Sequence, residues 1–162
     1  MAKIDPAGIA KLLFSIIACE FAGFIGSLFT TPSIPTWYAS LNKPSFNPPN
    51  WLFAPVWTTL YAFMGVSLFL VWSKGLNNRR VKLALVVFIV QLILNVLWSM
   101  VFFGLRSLVG GEVVIGVLWI TILFTVMRCL KVSKIAGLLL IPYIVWTSFA
   151  AILNTAILIL NS

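Results

Sequence analysis

Residues 37–57 read WYASLNKPSFNPPNWLFAPVW. The stretch holds Trp37, Tyr38, Trp51 and Trp57 together with Pro44, Pro48, Pro49 and Pro55, and long hydrophobic runs lie on both sides of it. Proline removes a backbone donor and crowds the preceding turn, so this segment cannot form an unbroken helix across a bilayer. It carries too many large aromatic rings for a solvated linker. It reads as a structured loop joining two helices, and as the lid of a ligand site.

The composition says what surrounds the loop. Of 162 residues, 62% are hydrophobic and only 9% are charged. A soluble domain is about half apolar and about a quarter charged, so the solvent here is lipid. The 11 Lys and Arg residues against 3 acids give a net charge of +8. They flank apolar runs and form no long cluster, the pattern of membrane-flanking charge and not of a nucleic-acid interface. There is no His, which removes a Ser-His-Asp triad and the commonest metal ligand. Cys19 and Cys129 lie far apart in apolar runs and read as small packing residues. No metal and no resident cofactor is expected.

Five spans of helix follow, at roughly 9–29, 51–72, 83–103, 112–130 and 135–160, with the lid loop at 30–50. The expected fold is an all-α, five-helix membrane bundle forming a single domain over residues 1–162. Asp5-Pro6 is a helix start, with Asp as cap and Pro in the first turn. Pro32 and Pro35 are expected to end the first helix, with a short interfacial turn over 36–41. Gly110-Gly111 is expected to break the chain before Glu112 opens the fourth helix, and Pro142 to kink the fifth.

Several helix faces stand out by spacing. In the first span, Ala18, Ala22 and Gly26 recur every fourth residue, as do Cys19, Gly23 and Ser27, giving a smooth face for helix packing or for lining a ligand. Glu20 lies inside the same span. A carboxylate at mid-bilayer costs about 3 kcal/mol, so it is expected to turn inward, protonated or hydrogen-bonded. Trp57, Tyr61, Met64 and Leu68 share a face of the second span. Gln91, Asn95, Trp98 and Phe102 share one of the third, and those amides need a polar partner. Tyr143, Trp146, Ala150, Leu153 and Asn154 share one of the fifth. The aromatic parts of these faces lie toward one membrane side. They fit either an interfacial aromatic belt or a converging pocket for a flat hydrophobic ligand.

Basic residues set the orientation. Lys3, Lys11, Lys74, Arg79, Arg80, Lys82, Arg128, Lys131 and Lys134 flank one side, and Lys43 and Arg106 the other. The positive-inside rule then puts the N-terminus in the cytoplasm and the proline-rich loop outside. A bacterial cytoplasmic membrane is the expected location. No internal repeat is visible, which speaks against an inverted-repeat transporter.

Four motifs carry a resemblance: WYASLNKPSFNPPNW at 37–51, APVWTTLY at 54–61, QLILNVLWSMVFFG at 91–104 and PYIVWTSFAAILN at 142–154. In order and spacing they closely resemble the translocator protein family, which includes the bacterial tryptophan-rich sensory proteins and the peripheral benzodiazepine receptor. The likeness covers nearly the whole chain. It implies a five-helix membrane bundle, usually a homodimer, that binds porphyrins and other flat apolar ligands in a pocket closed by the first loop.

By resemblance, Trp37 and Lys43-Pro44 correspond to the lid, and Phe53, Ala54 and Trp57 to the second-helix wall. Asn95 and Trp98 correspond to the third-helix wall, and Trp146, Ala150 and Leu153 to the fifth. Tyr61, Phe102 and Tyr143 join them from the face pattern, and Trp51 from its place at the end of the loop, near the mouth. Phe46 stands where a tryptophan is common, and Gly110 where mammalian members have a pocket tryptophan, so mammalian-type drug affinity is not implied. The cholesterol-recognition pattern that mammalian members carry after the last helix is absent from this C-terminus.

The resemblance leaves three roles open beside plain porphyrin binding. One is light-dependent breakdown of the bound ring, with Trp37 and Trp146 as candidate redox-active indoles; no conventional catalytic apparatus accompanies them. The others are transport of porphyrin or sterol, and a sensory role through a partner protein.

Overall fold

The structure is a computed structural model and describes residues 5–162. Lys3, counted above on the basic side, lies outside the described residues. The elements are α1 (Pro6–Ser33), a π-helical turn (Ile34–Tyr38), a 3-10 turn (Asn50–Leu52), α2 (Phe53–Trp72) and α3 (Arg79–Ser99). A second π-helical turn (Met100–Gly104), α4 (Leu108–Leu130), α5 (Lys134–Leu139) and α6 (Ile141–Leu160) complete the chain. Taking α5 and α6 as one broken span, five helices are long and apolar enough to cross a membrane. Large apolar side chains such as Phe14, Ile17, Phe21, Ile93, Val113 and Ile152 point outward from them. That is the surface a bilayer accepts and water does not.

The ends of the helices follow local chemistry. Asp5 caps α1 by accepting a hydrogen bond from the Ala7 amide at 3.1 Å, with Pro6 in the first turn. Asn78 caps α3 through the Arg80 amide at 2.9 Å. Leu140 separates α5 from α6, and Pro142 sits at the start of α6 where its missing amide proton is cheapest.

Two expected boundaries are corrected. The first helix does not stop near residue 29. It passes through Pro32 and continues as a π turn over Ile34–Tyr38, so the non-helical loop shortens to about residues 41–49. The wider turn accommodates the proline rings. The Thr36 hydroxyl donates to the Pro32 carbonyl at 2.8 Å, and burial of Tyr38 fixes the far end. The fourth helix, in turn, begins at Leu108 and not after the glycine pair. Ser107 caps it by accepting from the Gly110 amide at 3.0 Å. Gly111 is helical and small for packing, since a Cβ there would lie 2.6 Å from the Phe102 ring.

The helices close into a ring. α1 packs on α2 and α3, α3 on α4, α4 on α5 and α6, and α2 on α5. The α1–α2 seam is tightest at Gly65, where a Cβ would fall 2.5 Å from the Ile16 Cα. At the seam's other end the Tyr61 ring fills the notch at Gly23. Little hydrophobic drive separates helix from lipid, so such close approaches supply much of the contact energy. Cys19 and Cys129 are both buried with free thiols.

The short loop is strapped down at several points. The Lys43 ammonium donates to the carbonyls of Tyr38 at 2.7 Å, Leu41 at 2.9 Å and Ala39 at 3.2 Å, closing the end of the π turn. It also stands 5.1 Å over the Tyr38 ring. The Tyr38 hydroxyl donates to Asn47 Oδ1 at 2.6 Å. Asn42 and Asn161 exchange two hydrogen bonds at 3.0 and 2.9 Å, tying the loop to the end of α6.

Candidate functional site

The face of α3 read from spacing is the spine of the interior. Gln91, Asn95, Trp98 and Phe102 are all buried. The partners that the two amides need come from neighbouring helices. The Tyr61 hydroxyl donates to Asn95 Oδ1 at 2.5 Å, the Asn95 amide nitrogen donates to the Tyr143 hydroxyl at 2.8 Å, and that hydroxyl donates to Gln91 Oε1 at 2.9 Å. The chain of donors runs one way, from α2 through α3 and α6 back to α3. Gln91 Nε2, at its end, has no protein partner. Inside a bilayer such groups have no water to turn to, so the network fixes the mutual rotation of three helices.

Above this network the rings converge. Trp57 lies 5.7 Å from Tyr61, 6.4 Å from Trp98 and 6.3 Å from Tyr143, centroid to centroid. Trp98 stacks on Phe102 at 5.6 Å, and Phe102 meets Phe103 edge-on at 4.8 Å. Each pair adds about 0.5–1.5 kcal/mol beyond its area burial. Trp37 closes the cluster from the loop side, edge-on to Phe102 at 5.4 Å.

A cavity of about 500 Å³ opens beside these rings, between α1, α2 and α3. Its size is that of a site for a drug-sized or cofactor-sized molecule. On α2 and α3 it is lined by Phe53, Ala54, Trp57, Tyr61, Asn95 and Trp98, all residues singled out from the sequence, and by Thr58 and Ser99, which were not. The α1 wall was singled out only in part, through Glu20 and the small-residue positions Gly23, Gly26 and Ser27. It consists of Glu20 and Phe24 together with the small or polar series Gly23, Gly26, Ser27, Thr30 and Thr31. Those residues include part of the small-residue ladder, so one face serves both for packing and for lining. Phe24, Thr31, Ala54 and Thr58 are exposed at the rim, so the cavity opens sideways between α1 and α2 in the half nearer the loop.

The remaining expected site residues sit elsewhere. Phe102, Ala150 and Leu153 line a separate void of about 20 Å³, which shares Phe53, Trp98 and Phe103 with the large cavity as a partition. Tyr143 lies behind Trp57 in the hydrogen-bond network. Trp146 packs on Phe53 at 6.4 Å and on Phe149 at 5.4 Å, outside both spaces. Trp37 lines neither, and Trp51 is 71% exposed on the outer surface. Phe53, Trp98 and Phe103 stand between the large cavity and Ala150 and Leu153 on α6. No cluster of three or more His, Cys, Asp or Glu side chains suited to a metal is present among the described residues.

Comparison with known proteins bears on this arrangement. The model of the TspO/MBR family matches residues 15–160. A tryptophan-rich protein TspO from Archaeoglobus fulgidus is 48% identical over 155 residues, covering 95% of this chain and 99% of that protein. The tryptophan-rich sensory protein of Cereibacter sphaeroides is 32% identical over 152 residues, 94% of this chain and 92% of its own length. The human translocator protein is 36% identical over 141 residues, 85% of this chain and 82% of its own.

Proposed function

Because the chain belongs to the TspO/MBR family, we propose that its five-helix membrane domain binds a flat, largely apolar ligand of the protoporphyrin type in the cavity between α1, α2 and α3. One observation carries the reading: a cavity of about 500 Å³, walled by Phe53, Trp57, Trp98 and Phe103 and floored by Tyr61 and Asn95, inside a membrane protein. Indole and phenyl faces suit a macrocycle by stacking and edge contact. The sideways opening suits a ligand dissolved in the bilayer.

The test is a titration of protoporphyrin IX into the purified chain in detergent, followed by tryptophan quenching. Replacing both Trp57 and Trp98 by Ala removes two ring contacts of about 1 kcal/mol each, so affinity is expected to fall by about thirtyfold. Unchanged affinity in the double variant rejects this site.

Photochemical breakdown of the bound ring is a second reading. What favours it is that Trp57 and Trp98 stand side by side on the cavity wall, as indoles must to donate an electron to an excited ring. These two take the place of Trp37 and Trp146 as candidates. Illumination that yields the same product from free and bound porphyrin rejects it. The further parts of the proposal are a homodimer and an orientation with the proline-rich loop outside a bacterial cytoplasmic membrane. Lys11, the α2–α3 loop and the α4–α5 turn supply basic residues at the opposite end.

A further inference from the structure

The large cavity is electrically one-sided along its length. Among the described residues Glu20 is the only carboxyl group that lines it, and no Lys or Arg does. Among the described residues no side chain pairs with the Glu20 carboxyl. Glu20 stands at the inner end, one turn from Gly23 and the Tyr61 ring seated there. The hydroxyls of Tyr61 and Ser27 have their protons committed elsewhere, while that of Ser99, beside Gly26, does not. The Tyr61 hydroxyl donates to Asn95 Oδ1, and Ser27 Oγ donates to the Phe24 carbonyl at 2.7 Å. What those oxygens offer the cavity is lone pairs. Toward the loop the balance changes. The Asn50 amide and the Thr31 and Thr58 hydroxyls line the open rim with no committed proton.

A carboxylate inside a bilayer is costly until it meets a donor or a cation. A second carboxylate brought to the same end adds like-charge repulsion. From this layout we propose that Glu20 is a specificity-determining residue of the cavity. It selects flat apolar ligands that bring a cation or a hydrogen-bond donor, such as a protonated amine, to the inner end, and it turns carboxylate groups toward the rim. The inference rests on the reading of this cavity as the ligand site. It adds both a preferred ligand chemistry and an orientation. A tetrapyrrole bearing carboxylates sits with those groups at the rim and its apolar edge inward.

Three pyrene probes with one ring and different heads test it: pyrenemethylammonium, pyrenemethanol and pyrenecarboxylate. Each is titrated into the full chain in the same detergent and read by energy transfer from tryptophan to pyrene. Partition into detergent differs among the probes, so each is compared only with itself across variants. A charge-assisted hydrogen bond is about twice as strong as a neutral one. Glu20→Gln is therefore expected to weaken the ammonium probe by about tenfold, to weaken the alcohol by less, about threefold, and to strengthen the carboxylate. Glu20→Asp, which keeps the charge, retains the wild-type order. Glu20→Gln changing all three probes by the same factor overturns the inference while leaving the cavity a ligand site. No saturable transfer from any probe in the wild-type chain overturns the ligand-site reading, and the inference with it.

Discussion

Replacing Gly65 by Ala tests the α1–α2 seam at its tightest point. The new Cβ would lie 2.5 Å from the Ile16 Cα and 3.0 Å from its backbone nitrogen. Carbon atoms settle at about 3.5–4.0 Å, so the contact is short by about 1 Å. The nearest obstructing atom is backbone, with the Ile16 Cγ1 beside it at 3.0 Å, so no rotamer change can relieve the contact; the helices must part. Overpacking of this kind costs about 1–3 kcal/mol. Against it stands the gain in helix propensity from Gly to Ala, up to about 1 kcal/mol. Gly116 on α4 isolates that gain, because a Cβ there meets nothing within 4 Å. Gly116→Ala is thus neutral or stabilising, and Gly65→Ala lies below it by about 1–3 kcal/mol. Unfolding by dodecyl sulfate titration, followed by far-ultraviolet circular dichroism at fixed lipid composition, measures both. Adding Ile16→Ala does not restore Gly65→Ala, since trimming the isoleucine side chain leaves its Cα in place. Equal stabilities for the two glycine variants, or full rescue by Ile16→Ala, would refute the seam as described.

Two further outcomes are expected. Tyr61→Phe and Asn95→Leu, combined in a double-mutant cycle, should show a coupling of about 0.6–1.7 kcal/mol, the range of hydrogen bonds between membrane helices; strict additivity would mean that the bond contributes nothing. Glu112 on α4 accepts from Asn154 Nδ2 at 2.6 Å and from the Thr155 hydroxyl at 2.8 Å on α6. Glu112→Ala should therefore cost about 1–3 kcal/mol of stability with porphyrin affinity unchanged, and a parallel loss of affinity would show that α6 feeds into the site.

Helix count and inward faces were legible because both rest on local rules. Gln91, Asn95, Trp98 and Phe102 announced a buried face by spacing, and two amides in lipid must find partners. Asp5-Pro6 and Pro142 announced a helix start and a break through the chemistry of proline. Other features depend on what lies opposite in space. Pro32 and Pro35 pass through a helix because a π turn and the burial of Tyr38 hold it. Gly110-Gly111 looks like a breaker in one dimension, yet Gly111 is small because the Phe102 ring occupies the space. The α1 wall was half visible: the Cys19–Gly23–Ser27 ladder promised close contact, but nothing in it says that the helices diverge toward the loop. Trp146 and Trp51 are prominent in the sequence and stand apart from the large cavity. Abundance of indole does not tell which rings turn toward open space and which fill it.

Tyr61 belongs to two structures at once. Its ring is the floor of the cavity, and it is also the wedge seated in the Gly23 notch between α1 and α2. Its hydroxyl is tethered to Asn95, and its ring lies directly against α1 at Gly23. A guest that presses on the floor therefore works against the spacing of two helices, and a change in that spacing alters the depth available to a guest. Such linkage is reciprocal: whatever free energy occupancy adds to the opening of the seam, opening the seam adds to occupancy. Bilayer thickness and lateral pressure act on helix spacing from outside, so a ligand held as proposed would feel the membrane through a single phenol ring.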